Sequence, residues 1–273
     1  MSGYDLIALD MDGTVLNSRK EIAPGTREAI RTALRAGKEV VFCTGRALVE
    51  MERFLRIFPD MHYLIAESGA YVYDLQAHTL LFHARISDED LEKIFKVIGD
   101  RDIMPVAFSD GRYLANKSQI YRLAHYEMEA YAQESPKIAT GVENLRALVL
   151  EQHRPVEKLN LFHTSVWERT RTQELLDELQ PEAVRILSET SSLECSPPGI
   201  DKGTALARLS ESTGIPRERM IMVGDADNDL SALHYAGMAV AMGNANAHVK
   251  EISSLIVGDN DHDGCAEAIR ILL

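Results

Sequence analysis

Cysteine, positive charge and long apolar runs are all scarce in this chain. Cys43, Cys195 and Cys265 are the only cysteines in 273 residues. Their count is odd and none forms a Cys-x-x-Cys pair, which argues against a disulfide framework or a thiolate metal site. Each sits among apolar residues and is expected to be a buried, reduced thiol. A catalytic Cys43 or Cys195 would need a positioned base that the local sequence does not supply. Lys and Arg total 29 against 42 for Asp and Glu, a net charge of −13, and no basic patch offsets the excess. Such a surface repels phosphate backbones and anionic lipid heads, so neither nucleic acid nor a membrane is an expected partner. The longest apolar runs, residues 220–223 and 236–242, fall far short of the roughly 20 residues that span a bilayer. The first residues carry Asp5, Asp10 and Asp12 without a basic segment, and a cytoplasmic protein is expected. No Gly-x-Gly-x-x-Gly and no Walker lysine loop occurs, which removes the usual signals of NAD and ATP binding.

What remains is ordinary globular chemistry, 45% hydrophobic and 26% charged, in a length that allows one large or two modest domains. Short apolar runs alternate with helical patterns at both ends of the chain, the signal of βαβ units. Strands are predicted over residues 4–9, 39–43 and 61–66, with a helix over 26–36 whose Ala29, Ile30, Ala33 and Leu34 share a face. The rhythm returns with a helix over 202–213, strands over 220–223, 238–242 and 254–257, and helices from Leu230, Asn246 and Gly264. These blocks, residues 1–83 and 190–273, read as one α/β core with a doubly wound, mostly parallel sheet. Residues 84–189 have a different, α+β character and read as an inserted domain. There Ser87 caps an acidic first turn, Ser109-Asp110-Gly111 marks a hairpin, residues 120–133 look helical, 158–163 look like a strand, and 167–179 a helix with Trp167 in its core.

The strongest chemical signal is Asp10-Met11-Asp12-Gly13-Thr14, directly after the first strand. Ligands of open parallel sheets bind beyond the carboxyl ends of the strands, so two carboxylates and a flexible glycine stand where a reaction centre belongs. At this spacing one carboxylate can attack while the other handles protons. Gly224-Asp225-Ala226-Asp227-Asn228-Asp229 follows another apolar strand. Carboxylates converging from two strand ends repel each other unless a hard cation lies between them, and Mg²⁺ suits oxygen ligands with an open position. Asp227 or Asn228 can also be read as an N-cap for the next helix. Thr44-Gly45-Arg46 at the end of the second strand offers a hydroxyl and backbone N–H groups, and Lys202 at a helix start offers an ammonium; together they suit a phosphate. Asp259 to Gly264 matches only the first half of a calcium loop and reads as a surface turn, while His83, His163 and His234 are too scattered to bind zinc.

In this order, Asp10-x-Asp12-Gly13-Thr14, Thr44-Gly45-Arg46, Lys202 and Gly224-Asp225-x-x-Asn228-Asp229 resemble the four signature motifs of the haloacid dehalogenase superfamily. More narrowly, the chain is similar to its Cof-like phosphatases, with an α+β cap of type C2 inserted between the second and third motifs. Leu193-Glu194-Cys195 before Lys202 and Met242-Gly243-Asn244-Ala245 near the end extend the likeness over essentially the whole chain. One departure is Ser68-Gly69, where such proteins commonly carry Asn-Gly. The resemblance implies a Rossmann-like core and a Mg²⁺-dependent phosphatase of sugar phosphates or phosphorylated cofactors such as a flavin nucleotide or pyridoxal phosphate. It implies Asp10 as nucleophile forming an aspartyl-phosphate and Asp12 as general acid and base. Mg²⁺ would be held by Asp10, the main chain of Asp12 and Asp225, with Asp229 behind them; the phosphate would be held by Thr44, Gly45, Lys202 and Asn228. The cap would choose the substrate. Two other readings stay open: phosphotransfer to an acceptor other than water, as in a phosphomutase, and a phospho-accepting regulatory module.

Overall fold

A computed structural model describes residues 3–187 and 190–273. Glu189, the expected end of the insert, lies outside the described residues. In chain order the strands are β1 (Leu6–Leu9), β2 (Glu39–Cys43), β3 (Tyr63–Ala66), β4 (Tyr71–Asp74), β5 (Thr79–His83), β6 (Ile103–Ser109), β7 (Arg112–Asn116), β8 (Thr140–Val142), β9 (Lys158–His163), β10 (Val184–Leu187), β11 (Ser192–Ser196), β12 (Met220–Gly224), β13 (Met238–Ala241) and β14 (Leu255–Ile256). The helices are α1 (Pro24–Arg35), α2 (Leu48–Leu55), α3 (Asp88–Ile98), α4 (Ser135–Ile138), α5 (Leu145–Leu150), α6 (Val166–Leu179), α7 (Lys202–Thr213), α8 (Leu230–Tyr235), α9 (Ala247–Ile252) and α10 (Gly264–Leu272). None of the described helices is long and apolar enough to cross a membrane.

The chain divides into two compact units. The first comprises Met1–Arg46, Met51–His83 and Ile200–Leu273. Its sheet runs β14-β13-β12-β1-β2-β3-β4-β5, parallel from β14 to β3. The predicted doubly wound parallel sheet is therefore present. β1 and β12 are buried along their whole length, which is why they read as unbroken apolar runs instead of alternating. α1 begins on Pro24, whose missing N–H costs nothing at a helix start, and buries Thr26, Ala29, Ile30 and Ala33. β4 and β5, antiparallel additions at one edge, are not foreseen by the sequence pattern. The turn from β3 into β4 holds Glu67, Ser68 and Gly69 in left-handed conformations, with φ of 55°, 57° and 101°. A Cβ on Gly69 would stand 2.1 Å from the Asp201 carbonyl oxygen, so the glycine lets this turn pack against the start of α7.

The second unit comprises Ala47–Glu50 and Ala84–Gly199, with a sheet in the order β10-β11-β9-β6-β7-β8. Leu159, Leu161, Leu193 and Cys195 pack with Leu91, Ile94 and Phe95 of α3, Leu145 and Val149 of α5 and Leu176 of α6. The expected boundary at 189/190 moves to Gly199, because β11 pairs antiparallel with both β9 and β10. The predicted Ser87 cap forms, accepting from the Asp90 amide at 3.1 Å, and Asp110-Gly111 makes the hairpin turn between β6 and β7. Residues 120–133 are not one helix. They form short 3₁₀ turns, Leu123–Tyr126 and Glu129–Tyr131, because Glu127 adopts a left-handed φ of 57° that breaks the helical run. Leu123, Tyr126 and Met128 of this segment pack on Met104, Val106, Phe108 and Phe162. Trp167 is not core: it is 70% exposed, since Thr172 and Leu176 are the buried residues of α6 and Trp167 falls on the opposite side of the helix.

Candidate active site

β1 delivers Asp10 to the carboxyl end of the first sheet, where the Asp10 amide still bonds the Val223 carbonyl of β12 at 3.0 Å. The chain then turns through Gly13 at φ 88°, and this turn meets the end of β12. A Cβ on Gly13 would stand 2.3 Å from Asp225 Oδ2, while Thr14 Oγ1 donates to Asp225 Oδ1 at 3.0 Å. Glycine is thus required here for both conformation and space. Asn244, from the stretch after β13, closes the turn by donating from Nδ2 to the Gly13 carbonyl at 2.8 Å.

Lys202 is the first residue of α7. Asp201 caps that helix, accepting from the Thr204 amide at 2.8 Å, and fixes where the lysine leaves the backbone. The side chain is 1% exposed, and Nζ lies 2.6 Å from both Asp10 Oδ1 and Asp229 Oδ1. Burial alone would lower the ammonium pKa, but Asp10 and Asp229 outweigh it and hold it well above its usual range. Asp229 Oδ2 accepts from the amides of Asp225 and Ala226 at 3.0 and 3.2 Å. Asp229 therefore closes the turn after β12, while the helix from Leu230 has no side-chain cap, so the N-cap expected of Asp227 or Asn228 does not form. Asp227 is exposed and instead accepts from Asn246 Nδ2 at 2.8 Å, with His248 Nδ1 at 3.1 Å.

Asp10, Asp225 and Asp229 each offer an oxygen within 4.8 Å of the others, a set of hard donors with Asp10 and Asp225 directly after strands and Asp229 at the start of α8. Burial raises the Asp10 pKa, Lys202 opposes it, and the Asp229 and Asp225 carboxylates tip the balance well above the usual range. Burial and Asp229 likewise push Asp225 up to about 6. One ammonium does not neutralise three carboxylates. The donor set and its excess charge fit a hard divalent cation such as Mg²⁺. Protons then compete with that cation for the same oxygens, because groups raised in the metal-free protein must be deprotonated to ligate. The Mg²⁺ concentration for half-maximal activity is therefore expected to rise as pH falls through about 6, where Asp225 takes up its proton. Mg²⁺ titrations of activity above and below that pH check it.

Asp12 has a different environment. Arg46 grips it with two hydrogen bonds, Nε to Oδ2 at 2.7 Å and Nη2 to Oδ1 at 2.8 Å, and Lys20 Nζ adds a third at 2.8 Å. Burial works against ionisation, but Arg46 and then Lys20 outweigh it and hold the Asp12 carboxyl well below the usual range. Neither partner was singled out from sequence. Arg46 lies inside Thr44-Gly45-Arg46, which was read for its hydroxyl and backbone N–H groups, and its guanidinium at a strand end was the signal that could have found it. Lys20 carries no local signal, being presented by a turn in which it adopts φ 58°. Thr44 and Gly45 stand at the end of β2, with Thr44 buried and its Oγ1 accepting from the Arg46 amide at 3.2 Å. Asn228 is exposed on the turn after β12.

The residues set aside on sequence grounds have other duties. Cys43 and Cys195 are fully buried, and burial pushes their thiols up to about 12, which leaves them no nucleophilic thiolate. His163 is buried, with Nδ1 2.8 Å from the Ser191 carbonyl oxygen and Nε2 2.9 Å from Thr172 Oγ1.

A doubly wound sheet whose central strand ends in a buried, lysine-bridged aspartate defines an α/β enzyme with its reaction centre at the switch between strands. The sequence model of the haloacid dehalogenase-like hydrolases matches residues 7–269, and the chain belongs to that family. Pyridoxal phosphate phosphatase YbhA of Escherichia coli is 28% identical over 276 residues, covering 97% of this chain and 97% of its own. The 5-amino-6-(5-phospho-D-ribitylamino)uracil phosphatase YcsE of Bacillus subtilis is 28% identical over 267 residues, covering 97% of this chain and 94% of its own. The crystal structure of a haloacid dehalogenase-like hydrolase from Bacteroides thetaiotaomicron aligns with a TM-score of 0.85 at 26% identity, covering 99% of this chain and 100% of that one.

Proposed function

We propose that this protein is a Mg²⁺-dependent phosphatase of small phosphorylated metabolites, working through an aspartyl-phosphate on Asp10. The observation that carries it is the convergence of two strand ends on Lys202, which lies 2.6 Å from both Asp10 and Asp229, with Asp225 against the Gly13 turn. Mg²⁺ would be held by the Asp10 carboxylate, the main chain of Asp12 and Asp225, with Asp229 anchored behind them. Bound there, it supplies charge neutralisation for a phosphoryl dianion that Asp10 would otherwise repel.

Asp10 attacks phosphorus and the substrate alkoxide leaves. Asp12 protonates that alkoxide, then takes a proton from the water that hydrolyses the acyl phosphate. Because Arg46 and Lys20 hold Asp12 ionised, they must loosen for it to carry a proton in either step. Thr44, the Gly45 amide, Lys202 and Asn228 are assigned to the transferring oxygens, whose charge rises in the transition state. The second unit is assigned the choice of substrate, and the buried reduced cysteines favour a cytoplasmic setting. Phosphate release from a panel of sugar phosphates, pyridoxal phosphate and flavin mononucleotide tests the proposal. Activity is expected with Mg²⁺, to fall at least about 100-fold with a chelator, and to return on adding Mg²⁺. Activity unchanged by the chelator contradicts it.

A further inference from the structure

Among the aspartates of the turn after β12, Asp225 and Asp229 converge on Asp10, whereas Asp227 takes no part in that cluster. Its side chain is 61% exposed and meets the start of α9 instead. There Asp227 Oδ1 accepts from Asn246 Nδ2 at 2.8 Å and lies 3.1 Å from His248 Nδ1. One carboxylate oxygen thus gathers two side chains from the far side of β13.

Asn246 carries three bonds at once. Its Oδ1 caps α9 by accepting from the Val249 amide at 3.0 Å, its Nδ2 reaches Asp227, and its own amide donates to the Asp225 carbonyl at 3.0 Å. The third bond bears on the cation site. It leaves the main chain of Asp225 held on both sides, since the Asp225 amide already donates to Asp229 Oδ2 at 3.0 Å. With both flanking peptides fixed and Thr14 Oγ1 on Oδ1, the Asp225 carboxylate has one direction in which to leave the turn. The two anchors differ in strength. Asp229 is fully buried and bonded to Lys202, whereas Asn246 is exposed at the head of a six-residue helix. Asp227 is the side chain that ties this weaker anchor back to the turn.

We propose that Asp227 is a positioning residue of the Mg²⁺ site: by bonding Asn246 it holds the loop before α9 against the Asp225 carbonyl and so fixes the direction of the Asp225 carboxylate. This rests on the phosphatase reading, in which Asp225 is a ligand of the cation. A hydrogen-bonded clamp is separable from a mere negative charge near the site, because asparagine at 227 loses the charge but keeps an acceptor oxygen for Asn246 Nδ2.

The test measures Mg²⁺ binding to the full chain by calorimetry, with magnesium chloride alone, for wild type, Asp227→Ala, Asp227→Asn and Asn246→Ser. Asp227→Ala is expected to weaken binding about tenfold. Asn246→Ser still caps α9 but lacks the Nδ2 donor; it weakens binding as far, and the double variant Asp227→Ala/Asn246→Ser goes no further than either alone. Asp227→Asn stays within about threefold of wild type. Melting temperatures without Mg²⁺ stay within roughly 2 °C, since exposed polar contacts contribute little to stability. With p-nitrophenyl phosphate the half-saturating Mg²⁺ concentration shifts in step with binding, while kcat at saturating Mg²⁺ stays within about threefold. Equal weakening in Asp227→Ala and Asp227→Asn reduces Asp227 to a remote charge and overturns the proposal, as does unchanged binding in Asp227→Ala. Calorimetry is independent of turnover, so a wild-type protein that binds Mg²⁺ yet hydrolyses no ester overturns the phosphatase reading alone. One that binds no Mg²⁺ overturns both.

Discussion

Asp10→Asn lowers phosphate release by at least about 10⁴-fold while the protein keeps its fold. Asparagine matches aspartate in shape and can still accept from Lys202, but an amide oxygen does not displace an alkoxide from phosphorus. The substitution also relieves repulsion. Asp10 stands 6% exposed among Asp225 and Asp229, and its raised pKa records that its charge is held there at a cost. Lys202 keeps its bond to Asp229 at 2.6 Å, so the ammonium is not orphaned. A melting temperature equal to or above wild type, together with lost turnover on every ester, is the expected pair of results. Substantial turnover in this variant places the nucleophile elsewhere.

Lys202→Met has the opposite character, since it strikes stability and activity together. The methionine fills the volume of the buried stem but leaves Asp10 and Asp229 facing each other without a counter-charge. Breaking a buried ion pair on one side costs about 3–5 kcal/mol, which in a protein of this size lowers the melting temperature by roughly 10 °C. The loss depends on pH with a definite sign. Without the ammonium, the folded-state pKa of Asp10 rises further above its unfolded value, so the folded state binds more protons and stability increases as pH falls toward the ordinary carboxylate pKa. The deficit against wild type is thus largest near neutrality and shrinks on acidification, as melting curves across pH can read. Phosphate release falls as well, because the transferring oxygens lose a positive partner.

The parallel sheet was legible from sequence because its central strands are buried on both faces. Leu6 to Leu9 and Met220 to Val223 are apolar without interruption, and each ends in a cluster of aspartates that an ordinary loop does not need. Lys202 was legible as a helix start, which the Asp201 cap then bore out, and Asp10 and Asp225 were legible through their place after strands. Side-chain pairings across long stretches of sequence were not. The bond from Lys202 to Asp10 joins residues 192 positions apart, and nothing local marks the lysine as buried. The grip of Arg46 on Asp12 spans 34 positions and escaped for the same reason, whereas Lys20, 8 positions away, escaped because the turn that presents it carries no local signal. Residues 120–133 misled because their apolar residues follow a helical spacing, whereas packing of Leu123 and Tyr126 onto the sheet and the left-handed Glu127 break the helix. Trp167 misled because size was taken for burial. β11 escaped the insert because Leu193-Glu194-Cys195 runs toward Lys202 in sequence, although its partners are β9 and β10.

The central claim, a covalent phosphoryl group on Asp10, is tested most directly in Asp12→Asn with p-nitrophenyl phosphate and Mg²⁺. The p-nitrophenolate departs without protonation, so the first step survives the loss of Asp12, while hydrolysis of the intermediate lacks its base. Rapid mixing is expected to give a burst of about one p-nitrophenol per active site followed by slow turnover. Peptide mass analysis of the quenched enzyme should find the phosphoryl group on Asp10. A burst-free trace, or a phosphoryl group on any other residue, contradicts the account.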